Sequence, residues 1–545
     1  MKKKFKRMSS ILLCAAMLLA MLTACGGSPA ESGSGSPAGG SSGSPAGDGS
    51  GSSDNQGGSG DETITVRILK QKSGTEVNLQ DMEIFQVMGE KFNIKFEFDN
   101  PPQDNFAERL NLVMMDEKLP DVIMDMPTTD ILKHAESGAI IPLNECIEKM
   151  PNLKAAIDAR EGVEKALTYP DGNIYYFPML DERVSGNMPY IVRTDWLKAL
   201  NMESPVTLED WEAYFEAVKT TDLNGNGKND EIPFGSYDMT GLRNFVTAFG
   251  VLDDFYTDPT DGGKVHYGPI DDKYKEGLTW LNEMWNKGYI DQEILTMDFS
   301  SFNAKLAQNI IGSFYGPLGG MMAAQNATMP ASVPDFRVDA AVPPKGTAQI
   351  HSNIDQEPRA VAAAVITESC EHVDRVIEWL DYMYGEEGGR LVNMGIEGKH
   401  YTMENGEPVY TDFVMNNPDG LSPKSAIGTF SFSGSTGPFI LATSQTAAVD
   451  DESVAKAKAE AIIPYLEESK KYVLPGSLSF NNEDDAARRE AMTDIEIYVD
   501  EMVMKFITGR ESLDNWDTYV ARVKEMGIEK VLDIYQKALD SWNAE

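Results

Sequence analysis

Asp222, Asn224 and Asn226 place side-chain oxygens at alternate positions of one short loop, and Asp230 and Glu231 close it. Gly227 between them supplies the backbone freedom for a sharp turn. Alternate residues of a tight loop face the same side, so oxygens spaced by two converge on one centre. The backbone carbonyl of Lys228 fills the gap before Asp230. Six or more hard oxygens are the coordination that Ca²⁺ takes.

The spacing follows an EF-hand loop through its ninth position. It departs at the twelfth, where Pro233 stands in place of a bidentate Glu, so Glu231 has to supply that ligand. The alternative is a polar, glycine-rich turn that holds no ion. No other stretch offers chemistry of comparable specificity. There is no phosphate-binding loop, no paired-histidine zinc motif and no cysteine pair at zinc spacing. His134, His266, His351, His372 and His400 are scattered and read as surface or packed histidines. Paired carboxylates for glycoside hydrolysis are a matter of fold, and 86 acidic residues make any chosen pair weak evidence. No catalytic residue is assigned.

The elements around the loop start with the compartment. Residues 1–7 are basic, and an apolar run from Ile11 to Leu22 follows, too short for a comfortable membrane span. Residues 1–24 are read as a signal peptide. Residues 26–60 are almost wholly Gly, Ser, Pro, Ala and Asp, a composition that buries no core. The formal charge of −39 becomes −44 once Lys2, Lys3, Lys4, Lys6 and Arg7 are removed, which disfavours nucleic acid as a partner. Cys14 and Cys25 lie near the start, so Cys146 and Cys370 are the thiols of the folded part, either paired or free.

From Ile64 onward, alternating and short apolar runs alternate with helical patterns. Strands are expected at 64–68, 92–98 and 119–124, with Asn78 capping the first helix. That rhythm implies βαβ units and a largely parallel sheet, whose ligands bind at the carboxyl ends of strands. Gln71–Ser73, Gln103–Asn105 and Asp125–Met126 are the cleft candidates on that ground. Asp-Gly at 171–172 and Asn-Gly at 405–406 mark hairpins. Thr207 with Asp210 opens the helix that runs into the calcium loop.

Leu22-Thr23-Ala24-Cys25-Gly26 resembles the bacterial lipobox. Together with the Gly/Ser tether, Asp121-Val122, "GAIIPLNE", "YPDGNIYYFP" and "DLNGNGKNDEIP", it resembles the extracellular solute-binding lipoproteins that serve ABC importers of carbohydrate. The alginate-oligosaccharide-binding proteins are similar at the calcium loop. The resemblance spans residues 61–545, with its strongest motifs between 119 and 235.

The resemblance implies an α/β fold of the periplasmic-binding-protein type, with two lobes, a hinge and a ligand cleft between them. Lobe 1 is expected at 61–182 plus 302–370 and lobe 2 at 183–301 plus 371–545, with the calcium loop in lobe 2. The crossings between lobes are expected near Met179–Tyr190, Ser300–Lys305 and Thr367–Val373. Cys25 is expected to carry fatty acyl chains such as palmitate, with residues 25–60 as the tether, leaving a monomer on the outer face of the cell membrane. A structural Ca²⁺ is implied on Asp222, Asn224, Asn226, Lys228, Asp230 and Glu231. Aromatic faces stack on sugar rings while amides, carboxylates and guanidinium groups bond their hydroxyls. The candidates for those roles are Tyr175, Tyr176, Tyr315, Phe430 and Phe432, with Gln71, Asp125 and Arg359. The expected function is capture of an oligosaccharide for an ABC permease. The alternatives are a cell-surface glycan-degrading lipoprotein or a binding protein that feeds a membrane sensor kinase.

Overall fold

A computed structural model describes residues 62–72, 77–354, 358–421, 423–432, 436–443, 450, 452–476 and 478–544. The signal peptide, Cys25 and the tether lie outside the described residues, as does Ser73. In chain order the strands are β1 (Ile64–Leu69), β2 (Ile94–Asp99), β3 (Val122–Met124), β4 (Phe177–Asp181), β5 (Tyr190–Arg193), β6 (Ile232–Gly235) and β7 (Phe255–Asp258). They continue with β8 (Lys264–Tyr267), β9 (Ile311–Tyr315), β10 (Val338–Ala340), β11 (Ala360–Ile366), β12 (Tyr401–Glu404), β13 (Glu407–Tyr410) and β14 (Ile440–Leu441).

Two sheets organise the chain. The first has the order β14-β4-β11-β3-β1-β2 and the second β10-β5-β9-β6. β1 pairs in parallel with β2 and with β3, as the strand–helix rhythm predicts. β11 enters between β3 and β4 and runs antiparallel to both, so the sheet is mixed. Its sequence, Ala-Val-Ala-Ala-Ala-Val-Ile, suits that central place, because an interior strand covered on both faces reads as a continuous apolar run. In the second sheet β5 shows the period of two directly. Tyr190 and Val192 face one core, and Ile191 faces the core on the opposite side.

The lobe boundaries differ from expectation. β9 and β10 pair with β6 and β5, so they belong to the second sheet and not to lobe 1. The helices Val373–Tyr382 and Glu386–Met394 pack into the first core through Trp379, Leu380 and Leu391. The helix Asn482–Ile507 returns to the second through Ile495, Val499 and Phe506. The crossings therefore fall between β4 and β5, between β10 and β11, and after β14. The first lies within Met179–Tyr190, and strand pairing, which joins residues about 80 to 260 positions apart, moved the other two.

Local signals fared better. The Thr207 side chain accepts from the Asp210 N–H at 3.1 Å and Asp210 accepts in return from the Thr207 N–H at 2.9 Å. Asn405 and Gly406 both take positive φ at the β12–β13 turn. Asn78 does not cap its helix, because its amide oxygen accepts from Lys72 Nζ at 3.0 Å and its amide nitrogen donates to Asp81. Cys146 and Cys370 are free thiols. No helix among the described residues is long and apolar enough to cross a membrane.

Candidate metal loop and ligand recess

The loop at 222–231 joins the helix Leu208–Thr220 to β6 and folds around its own side chains. Asp222 accepts from the Asn226 N–H at 3.1 Å through one oxygen and from the Gly227 N–H at 2.8 Å through the other. Asn224 Oδ1 accepts from the Asn226 N–H at 3.0 Å, and Asn226 Oδ1 accepts from the Lys228 N–H at 2.8 Å. Each of these oxygens keeps a further lone pair. Gly225 and Gly227 take φ of 73° and 83°, the left-handed turns that let the chain wrap so tightly. The amides of Asn226 and Asn224 donate to Asp230, and the Asn226 bond leads in holding its carboxyl below the ordinary carboxylate range.

Glu231 is the decisive residue. It is fully buried, and one of its oxygens accepts from the Leu223 and Asn224 N–H groups at 2.7 and 2.9 Å. The other oxygen is also buried and makes no hydrogen bond. No lysine or arginine pairs with it among the described residues. A buried carboxylate left half answered costs several kcal/mol, of order 1–3 or more, unless something else meets it. A hard cation coordinated by the mixed carboxylate, amide and carbonyl oxygens of the loop would do so, and the donor set fits that role. Among the described residues no group of three His, Cys, Asp or Glu is gathered to hold a metal ion, Asp222, Asp230 and Glu231 of this loop included.

A solvent-open recess of about 240 Å³ lies where the two lobes meet. On the first lobe it is lined by Thr128 and Thr129 just past the carboxyl end of β3, and by Thr168, Tyr169 and Tyr176. The second lobe contributes Phe480, Asn482, Asp485 and Arg488 from the start of the helix Asn482–Ile507. Tyr169 donates its hydroxyl to the Thr128 carbonyl at 3.2 Å, which fixes the ring at the wall. No loop residue from 222–231 lines it.

Beside the recess the three crossings run next to one another. The Asp181 N–H donates to the Arg359 carbonyl at 3.0 Å, and the Glu182 N–H donates to the Leu441 carbonyl at 3.1 Å. The Arg359 guanidinium pairs with Asp181 at 2.8 Å and donates to the Arg183 carbonyl at 2.7 Å. Burial opposes the Asp181 charge, but Arg183 and then Arg359 overcome it and hold the carboxyl below the ordinary range. Arg359 thus sits in the crossing region and is occupied there.

The other predicted ligand residues divide. Tyr176 lines the recess, and its hydroxyl reaches the Ala166 carbonyl at 3.5 Å. Tyr315 ends β9, with its hydroxyl 3.1 Å from Ser352 Oγ, and burial pushes it up to about 12. Asp125 follows β3 at φ 61° and pairs with the buried Lys70 at 3.0 Å, an ion pair that closes the carboxyl ends of β1 and β3. Gln71 is half-buried beside it.

Three residues are withdrawn from the cleft. Phe430 stacks on His400 at 3.8 Å inside a small core, and Phe432 packs against Phe85 and Phe439. Both are 1% exposed, so neither ring has a face to offer. Tyr175 is buried against Tyr169 and donates to Asp171 at 2.6 Å. Aromatic residues beside glycine and hydroxyls served the core here, as apolar rings ordinarily do.

Sequence reasoning missed Lys70, Thr128, Thr129, Phe480, Asp485 and Arg488. The strand-end rule reaches Thr128, three residues beyond Asp125. Nothing in the helical final hundred residues singles out Phe480 or Arg488. A further aromatic pair, Tyr237 against Phe299 at 5.4 Å, follows the carboxyl end of β6.

The chain is similar to known sugar-binding proteins. It is 28% identical over 477 residues to the fructooligosaccharide ABC transporter substrate-binding protein FusA of Streptococcus pneumoniae, covering 81% of this chain and 84% of that one. Its fold is similar to that of a FusA EF-hand mutant in complex with fructo-nystose, with a TM-score of 0.71, 24% identity, and 88% and 100% of the two chains covered. Alginate-binding protein AlgQ2, solved without calcium ion, aligns with a TM-score of 0.71 at 22% identity over 88% of this chain and 99% of that one. The two-lobe architecture follows from these likenesses. The family model of bacterial extracellular solute-binding proteins matches residues 76–390, more than half of the chain, and the chain belongs to that family.

Proposed function

We propose that this protein captures an oligosaccharide between its lobes and delivers it to the permease of an ABC importer. The observation that carries this reading is the recess itself, which takes hydroxyls and aromatic rings from both lobes beside three adjacent crossings. A ligand that touches both walls favours the closed arrangement by the contacts it gains there, and the crossings supply the hinge. FusA, a relative over most of the chain, is named for a fructooligosaccharide. Cys25, as the acylated first residue of the mature chain, would hold the protein at the outer membrane face, since several acyl chains anchor stably where one is marginal. The protein binds and releases its solute unchanged.

Calcium would sit on Asp222, Asn224, Asn226, Asp230, Glu231 and the Lys228 carbonyl, answering the buried Glu231 oxygen. It supplies charge and coordination to the second lobe and takes no part in sugar contact.

Calorimetric titration of the full chain with a panel of oligosaccharides tests the central claim. Saturable heats with one sugar class, and no reducing ends released on prolonged incubation, are the expected result. Silence across sugars with a signal from peptides would sink it. Labelling with an alkynyl palmitate analogue, lost in Cys25→Ser, tests the anchor separately.

A further inference from the structure

Charge within the recess is cancelled before any ligand arrives. Asp485 and Arg488 are its charged lining residues, and they pair with each other at 2.6 Å. Arg489, half exposed, reaches Asp485 from the solvent side at 2.5 Å, where water and salt screen it. The rest of the lining is hydroxyl, amide, aromatic and aliphatic. Arg488 is pinned in place, with its guanidinium 4.9 Å from the Phe480 ring and 5.6 Å from the Tyr535 ring. It donates to the Tyr535 hydroxyl at 3.3 Å. Its Nε is buried away from the recess, so the N–H bonds that Nη1 and Nη2 do not spend on Tyr535 and Asp485 are the donors it can offer a ligand. A donor held rigid between two rings, with its charge already answered by Asp485, is suited to a hydroxyl or ring oxygen. A carboxylate would have to compete with Asp485 for the same cation, within a protein of formal charge −39 that opposes its approach.

We infer that the recess is selective for uncharged oligosaccharides over uronates, with Arg488 as the specificity-determining donor and Asp485 as the group that bars anions. The inference rests on the proposed carbohydrate function and adds the charge class of the ligand. Asp485 acts through Arg488, so its replacement moves the preference and not only the affinity.

The test is a titration of the full chain with kestose and nystose in parallel with oligogalacturonate and alginate oligomers. Neutral sugars are expected to bind at least about tenfold more tightly than uronates. In Asp485→Asn the uncompensated Arg488 should gain about tenfold for uronates while neutral sugars lose a few-fold. Arg488→Met keeps the aliphatic stem between Phe480 and Tyr535 and should cost neutral sugars about tenfold by deleting the donor. Thermal melting of each variant confirms that it is folded. Tighter binding of uronates by the unaltered protein overturns the inference and leaves the carbohydrate reading intact. An unmoved neutral-to-uronate ratio in folded Asp485→Asn, or unchanged affinity in Arg488→Met, overturns the inference as well. Failure of every oligosaccharide to bind overturns the carbohydrate reading, and the inference with it.

Discussion

The loop at 222–231 and the recess at the lobe junction treat charge in opposite ways. The loop gathers three carboxylates, one of them fully buried with an oxygen that no donor meets, against the single cation of Lys228. The recess holds one carboxylate already answered by arginine, and surrounds it with hydroxyls and rings. On the proposed reading the first is completed by a cation. The second, on the inference above, admits something with no charge of its own. Asp381 shows that a buried carboxylate alone does not decide the matter. Its oxygens accept from the Asn152 amide at 2.9 Å and from the Leu153 N–H at 2.7 Å, capping the helix Pro151–Asp158, and it calls for no ion.

The contrast breaks most visibly at Glu231. Glu231→Ala removes the acceptor of two backbone N–H groups and the proposed ligand, and should lower stability by about 3 kcal/mol or more in urea denaturation with calcium present. Glu231→Gln keeps an acceptor without the charge. It should lose the calcium response yet melt no lower than the parent protein in chelator, which separates the cation's role from the loop's own hydrogen bonds.

Chelation of the unaltered protein is the next largest effect. At calcium concentrations 100-fold above Kd, binding adds about 2.7 kcal/mol, so removing it should lower Tm by several degrees. Oligosaccharide affinity measured well below that temperature should stay the same, because the loop does not line the recess. A direct loss of sugar binding in a chelated but folded protein would tie the two regions together.

His351 represents a third treatment of charge, which is to refuse it. The ring is 3% exposed, and burial pushes it down to about 4 from 6.5. A histidine depressed in the folded state stabilises fully above about pH 6.5 and loses that contribution as pH falls toward 4, because the unfolded chain takes the proton first. At pH 5 the loss is about 2 kcal/mol, and melting curves of His351→Gln should fall less steeply over that interval. His400, also pushed down to about 4 with burial as the leading cause, acts in the same direction.

The smallest effect is expected at the crossings. Arg359→Met leaves Asp181 with Arg183, so it should cost about 1 kcal/mol in stability. Its larger signature should be altered sugar affinity, through a looser hinge, with the recess lining itself untouched.

Sequence alone determined whatever is encoded over a few neighbouring residues. The oxygen spacing at 222–231, the Thr207–Asp210 capping box, the Asn-Gly turn and the alternation of Ile64, Val66 and Ile68 in β1 are each set by local backbone geometry and side-chain chemistry, which no distant partner alters. The family could be named from such stretches in order. Tertiary structure decided everything that joins distant residues. β11 was inserted between strands about 180 and 240 positions earlier, and β9 and β10 joined the second sheet and moved the lobe boundaries. The recess assembled Thr128, Tyr176 and Arg488, which share no segment. Phe430 and Phe432 carried the same composition signal as a sugar platform and were buried, because a ring's role depends on what packs against its face. The candidate metal loop was legible because its oxygens are neighbours in the chain. The ligand recess was not, because its residues become neighbours only after folding.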